Sequence, residues 1–326
     1  MDLSFLPSKN NYINLIIRDH CIRLVELKST NPLQVKKYHE RFLPPNIIKD
    51  GKIEDVTTLK IILEQCVDEW GLKRKQVRFV VPDSVLVMRK LSIPADIMDD
   101  EIIGYLYLEL GSTIHLPFED PVFDVHVLNR SEKTDIILFA VPEEVVASYS
   151  SLLEDVKLKP VTADISPLSL YRLYYENGQR NEHEHLLVVH FDVTGITLSI
   201  FVRHVPMLVR TVALTPDLKH WEVSEGNSRL QWSGDIVQFN LFVEDFITEV
   251  ERVMGFFQYS MHQGNERVQK ILLYGDHPNL PLVTTKLKEK LEVKIDTIEQ
   301  AIEKIDGDTL PNSYYLALGL ALKEGR

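Results

Sequence analysis

Cysteine is nearly missing: the 326 residues include two, Cys21 and Cys66. Two thiols exclude a disulfide framework and are too few for a convincing zinc site, so a reduced, cytosolic protein is the simpler reading. Positive charge is also scarce. Asp and Glu outnumber Lys and Arg by 48 to 36, for a net charge of −12. A field of that sign repels nucleic acid and anionic lipid and makes both poor partners. Nor is there a long unbroken apolar run. The most apolar window, Leu186 to Val202, carries His190 and Asp192 in its middle and is rich in β-branched residues. That is the pattern of a buried hairpin, not of a membrane span. The opening "MDLSFLPSKN" has no basic start and no apolar stretch, so no secretory signal is expected. Any link to a membrane must then run through a partner. What is present is an ordinary globular composition, 44% hydrophobic and 26% charged, in a chain long enough for about two domains.

Hydrophobic periodicity organises the chain. Residues 12–27 and 33–42 alternate as strands, with a turn at "RDHC" inside the first stretch. "TTLKIILEQCVDEW" places Leu59, Ile62, Leu63, Cys66, Val67 and Trp70 on one helical face, with a Thr ahead as the expected cap and Gly71 as the stop. "QVRFVVP" reads as a short, mostly apolar strand of the central-sheet type. Segment 84–142 has its own rhythm of strand, helix, strand and strand: "DDEIIGYLYLELGSTI" is the helix, and "PVFDVHVLN" alternates with Phe123, Val125 and Val127 on one side. The second half repeats the scheme, with strands from Leu186 onward, a long amphipathic helix over "FVEDFITEVERVMGFFQYSMH", and the strand "VQKILLYGD". Strands, helix and strand given twice, with an insertion in the first half, predict an α/β protein with two related lobes around a cleft. Ligands of such folds sit at strand ends facing the cleft. His183, His185 and His190 read as solvated strand histidines, not as metal ligands, and no catalytic set emerges.

Taken in order, several segments resemble the PilM type IV pilus assembly proteins, which are actin-like and close to the FtsA cell-division proteins. They are "IRLVELK", "LPPNIIKDGKIED", "DDEIIGYLYLELGSTIHLPFEDPVFDVHVL", "ILFAVPEEVVASYSSLLEDVKLKPVTADISPLSLYRL", "TEVERVMGFFQYS" and "KILLYGDHPNLPLVTTKLKEKL". The resemblance covers nearly the whole chain and is weakest at 214–240. It implies an actin-like (ribonuclease H-like) two-lobed fold with an FtsA-type inserted subdomain. The implied division is 1–83 for the first lobe, 84–160 for the insert, 161–182 for the return and linker, and 183–326 for the second lobe. Within that lobe a reduced subdomain lies around 210–265, and a C-terminal helix at 312–323 packs between the lobes. It further implies a cytoplasmic scaffold held at the inner face of the membrane by the short N-terminal tail of a bitopic PilN-like partner, with self-association left open.

In that family the first phosphate turn reads Asp-Ile-Gly. Here the register puts Ile16 at the Asp and Arg18 at the Gly, with Asp19 beside them. The second turn has His190 at the Asp and Asp192 at the Gly, and keeps Thr194 and Gly195. The Gly-rich adenosine turn keeps only Gly275, followed by Asp276 and His277. A side chain in place of Gly blocks the backbone approach, and a carboxylate where a phosphate should rest repels it. Two roles stay open for Arg18, pairing with a phosphate or filling the vacated pocket and pairing with Asp192, and the pocket is expected to bind ATP and Mg poorly or not at all. The alternative is a working ATP switch or weak ATPase, with Asp192, Gly195 and Gly275 as its remnants. A sugar-kinase-like activity lacks both a catalytic carboxylate and a Gly-rich loop. From topology, the partner's tail is expected along Val87, Arg89, Leu91, Phe123, Asp124 and Val125.

Overall fold

The computed structural model describes residues 12–179, 181, 183–214, 220–223, 230–297 and 309–323. Parts of the expected linker end of 161–182 and of the stretch 214–240 lie outside the described residues, as does the opening decapeptide.

The chain opens with a meander of β1 (Ile13–Arg18), β2 (Cys21–Thr30) and β3 (Leu33–Phe42). Arg18 pairs with Cys21, so Asp19 and His20 form a two-residue turn, and neither has a positive φ. A small ribbon of β4 (Ile48–Lys49) and β5 (Lys52–Ile53) leads to helix α1 (Val56–Glu69). The cap of α1 is Asp55, not a Thr: its carboxylate accepts the Thr58 N–H at 2.9 Å and the Thr58 hydroxyl at 2.6 Å. Gly71, at φ +66°, ends the helix as its position suggests. Strand β6 (Gln76–Val80) then pairs parallel to β1.

The insert follows: β7 (Val87–Pro94), helix α2 (Ile102–Glu109), β8 (Pro121–Arg130) and β9 (Lys133–Pro142), with sheet order β7-β9-β8. Helix α3 (Glu143–Asp155) falls within the 84–160 that the resemblance gives to the insert. In the structure its Tyr149, Leu152 and Leu153 join the core of the first lobe, because their i, i+3, i+4 stripe faces that sheet. Strand β10 (Lys159–Asp164) completes the order β10-β6-β1-β2-β3, and helix α4 (Ser166–Tyr174) leaves the lobe.

The second lobe repeats this plan. β11 (His185–Phe191), β12 (Gly195–Val202) and β13 (Val205–Ala213) form the meander, and the ribbon β14 (Trp221–Val223) and β15 (Leu230–Trp232) follows. The long helix α5 (Ile236–Gly255) is capped by the Asp235 carboxylate. β16 (Lys270–Tyr274), α6 (Leu280–Lys290) and β17 (Lys294–Thr297) give the order β13-β12-β11-β16-β17, with β16 and β17 parallel to β11. Helix α7 (Tyr315–Ala321) returns to the centre. There α4 and α7 are clasped between the two sheets: Leu170, Tyr174, Leu318 and Leu320 pack with Ile16 and Val25 of the first lobe and Leu186 and Leu272 of the second. Gly319 permits the crossing, since a Cβ there would lie 1.9 Å from the Ser169 carbonyl oxygen. No helix among the described residues is long and apolar enough to cross a membrane.

Candidate functional site

The two meanders point their first turns at each other across the cleft. What meets there is charge. Arg18, at the end of β1, donates from Nη2 to Asp83 Oδ2 at 3.1 Å, and its Nε lies 3.7 Å from Asp192 Oδ2. His20 Nε2 lies 3.0 Å from Asp276 Oδ2 and 3.6 Å from Asp192 Oδ1. Arg23 on β2 reaches Asp276 with Nη1 and Glu40 with Nε, each at 2.5 Å. Asp83 is the hub. It also accepts the Ser166 hydroxyl at 2.5 Å and the Thr197 hydroxyl at 3.2 Å, while His190 Nδ1 stands 3.8 Å away. Asp83 holds Arg18 within the first lobe, while Asp192 and Asp276 bring carboxylates of the second lobe to Arg18, His20 and Arg23; His20, Arg23, Asp83 and Asp192 are buried and Arg18 and Asp276 nearly so.

Burial alone would raise the Asp83 carboxyl, but Arg18, His190 and Ser166 outweigh it and hold the group below the usual carboxylate range. For Asp276 the opposing pull comes from Arg23 and His20, and it too is held low. Asp192 goes the other way: burial, and then the facing Asp276, push it up to about 6 against His20 and Arg18. Burial would lower the His20 imidazole, yet Cys21, Asp192 and Asp276 hold it well above its ordinary value.

The residues singled out in the sequence fall into three groups. Arg18, His190, Asp192 and Asp276 come together in this network. Thr194 and Gly195 instead line a cavity of about 500 Å³ beside it, bounded by both turns, by Pro82 to Ser84 and by Thr211 to Leu214. The other two residues serve the fold. Asp19 accepts the Asp50 and Gly51 N–H groups at 2.7 and 3.0 Å and so anchors the loop between β4 and β5; both donors are spent on it. Gly275, at φ +146°, sits where a Cβ would lie 1.7 Å from the Phe191 carbonyl oxygen, so the close backbone approach at the ends of β11 and β16 demands it. Asp83, His20, Arg23, Ser166 and Thr197 were missed. The available signal was Arg23 and Glu26 inside the otherwise apolar "CIRLVEL", which must find partners if buried.

The fit to a nucleotide can be judged from the lining. Asp19, Asp50, Asp83 and Asp192 face the 500 Å³ cavity, and among the described residues Arg18 is its one Lys or Arg. That guanidinium is already paired twice. The space directly under the charged network, between Arg18, His190, Asp276 and Tyr315, is only about 20 Å³, room for roughly one water. This donor set does not suit a polyphosphate. His20, Cys21 and Asp276 do bring three metal-type donor atoms within 4.8 Å of one another. However, Asp276 Oδ2 is shared by His20 and Arg23. His185 and His190 lie at opposite ends of β11, beside Glu266 and Asp83 respectively, and do not converge.

The expected tail groove is also rearranged. Leu91, Phe123 and Val125 share one sheet face with Ile136 and Leu138, and that face is covered by Ile102 and Leu106 of α2. They form the small core of the insert. Arg89 and Asp124 are exposed and Val87 is half-buried.

Comparison with known proteins places this architecture. A chain in a PilM–PilN type IV pilus biogenesis complex is 18% identical, with a TM-score of 0.74 over 96% of this chain and 98% of that one. The ethanolamine utilization protein EutJ of Carboxydothermus hydrogenoformans is 10% identical, with a TM-score of 0.54 over 95% and 88%. The cytoplasmic domain of EpsL, an inner-membrane component of the Vibrio cholerae type II secretion system, is 11% identical, with a TM-score of 0.50 over 97% and 96%. The fold is actin-like. The model of the type IV pilus assembly protein PilM matches residues 15–210, more than half of the chain, and the protein therefore belongs to the PilM family.

Proposed function

We propose that this protein is a non-catalytic, actin-like scaffold of a type IV pilus or related inner-membrane assembly platform, in which its own ion pairs occupy the place of nucleotide phosphates. One observation carries this reading: Arg18, His20 and Arg23 are buried against Asp83, Asp192 and Asp276 between the two turns that would otherwise cradle phosphate. A polyphosphate entering there must displace those pairs and face the freed carboxylates. The partner is the short cytoplasmic tail of a bitopic PilN-like protein, which tethers the chain to the membrane. The outer edge of β7 has no hydrogen-bonded strand partner among the described residues, although β13 approaches it, and offers the tail a place to add as a strand beside Arg89.

A second reading is supported by the 500 Å³ cavity, which touches both turns and keeps Thr194 and Gly195. It is large enough to admit part of a nucleotide and would make the chain an ATP-binding switch. Calorimetric titration with Mg-ATP separates the two. The scaffold predicts no heat up to millimolar ATP and retention of the chain on an immobilised PilN-type tail peptide without nucleotide. Micromolar ATP binding sinks it in favour of the switch.

A further inference from the structure

Helix α2 is the element whose chemistry and exposure disagree. From Ile102 to Leu108 its sequence, IIGYLYL, has no charged residue on any face. Such a helix belongs in a protein interior. Only one side is inside: Ile102 and Leu106 are buried on the insert's sheet. The opposite side presents Ile103, Gly104 and Leu108, with Leu108 83% exposed, while half-exposed Tyr107 lies at its edge with its ring centroid 4.5 Å from that of Phe123 and its hydroxyl donating to the Pro121 carbonyl. A Cβ at Gly104 would meet nothing within 4 Å, so the middle of this face is a shallow gap where another backbone can come close. Met98, 63% exposed, extends the apolar surface ahead of the helix.

The flanks are of one sign. Between Ala95 and Asn129 there are eight Asp or Glu residues and no Lys or Arg. Arg130 neutralises one of them, Asp99. Exposed carboxylates such as Asp100, Glu119 and Asp120 remain around the patch. This rim selects the occupant. An anionic membrane surface would be repelled, and a second copy would bring two acidic rims together. A helix carrying leucine-type residues on one face and Lys or Arg beside them satisfies both the ridge and its rim.

We propose that the outer face of α2 is a docking site for a basic amphipathic helix of another protein, separate from the edge of β7 and independent of whether nucleotide binds. The test uses the full chain and a fluorescent Leu/Lys amphipathic peptide of about 15 residues, long enough to form a helix. Its Leu/Glu counterpart and phosphatidylglycerol vesicles run beside it. The expected result is salt-dependent binding of the Leu/Lys peptide alone. Leu108→Ser should weaken it about tenfold or more, since Leu108 would become buried. Asp100→Lys with Glu119→Lys should remove most of the salt dependence. Both variants change exposed side chains, and circular dichroism checks that they fold. The proposal is overturned by no binding, by equal binding to Leu108→Ser, by equal binding of the acidic peptide, or by vesicle binding. Self-association abolished by Leu108→Ser would also overturn it, in favour of a second copy.

Discussion

Replacing Arg18 by Met tests the charged cleft most directly. Met keeps an apolar stem of similar reach and removes only the guanidinium. In the intact protein that group lies 3.1 Å from Asp83 and 3.7 Å from Asp192. At an effective dielectric of about 20, each attraction is about 4–5 kcal/mol. Desolvation of the buried ions cancels most of this, so the network adds little net stability while complete. The variant is different. It leaves Asp83 and Asp192 buried and stripped of their shared cation, a situation that costs about 3–5 kcal/mol. Against a total stability of about 5–15 kcal/mol, that is a large fraction. Urea unfolding at pH 7 should show it. Tryptophan fluorescence is a suitable probe, because Trp221 sits edge-on to His20, with ring centroids 6.1 Å apart. Adding Asp83→Asn should recover part of the loss, with a coupling of about 1–3 kcal/mol. The pH dependence has a definite sign. Asp83 is held low in the folded protein, so the stability it contributes is present above the usual carboxylate range and is lost as pH falls through its lower folded value. The advantage of wild type over Arg18→Met should therefore shrink in acid. A loss below about 1 kcal/mol, or strictly additive single and double variants, would refute a coupled Arg18–Asp83 ion pair.

Asp192→Asn removes the carboxyl that burial and Asp276 push up to about 6. A raised carboxyl binds its proton more tightly in the folded state, so wild-type stability should fall, relative to the variant, as pH rises from about 4 to about 6. Thermal melts across that range check this, and parallel curves would count against the Asp192–Asp276 contact. Gly275→Ala forces a Cβ to 1.7 Å from the Phe191 carbonyl oxygen, and it should destabilise by about 3 kcal/mol or more with or without ATP. Rescue of that variant by Mg-ATP would show that the glycine serves a ligand after all.

Period and spacing carried much of the fold because each reports a face or an end within one element. The stripe from Leu59 to Trp70 gave α1, and the break at Gly71 gave its stop. The alternation of Phe123, Val125 and Val127 correctly put those residues on one face. It could not say what covers that face, and Phe123 and Val125, expected to line the tail groove, pack instead against α2. The same limit explains α3, whose stripe was plain but whose sheet was not. The site was legible only as departures from a family pattern: Arg18 where Gly belongs, Asp192 where another Gly belongs. Their partners were hidden by distance along the chain. Asp83 is 65 residues from Arg18, and Asp276 is 256 residues from His20. Arg23 and Glu26 mark how far local reading can go. Ionisable residues in the buried pattern of β2 require counter-charges, and the structure supplies Glu40 and Asp276 to one, and Lys36 and Lys75 to the other. Sequence can thus show that a buried charge needs a partner, whereas only the arrangement of the two lobes decides whether that partner is a bound phosphate or another side chain of the same protein.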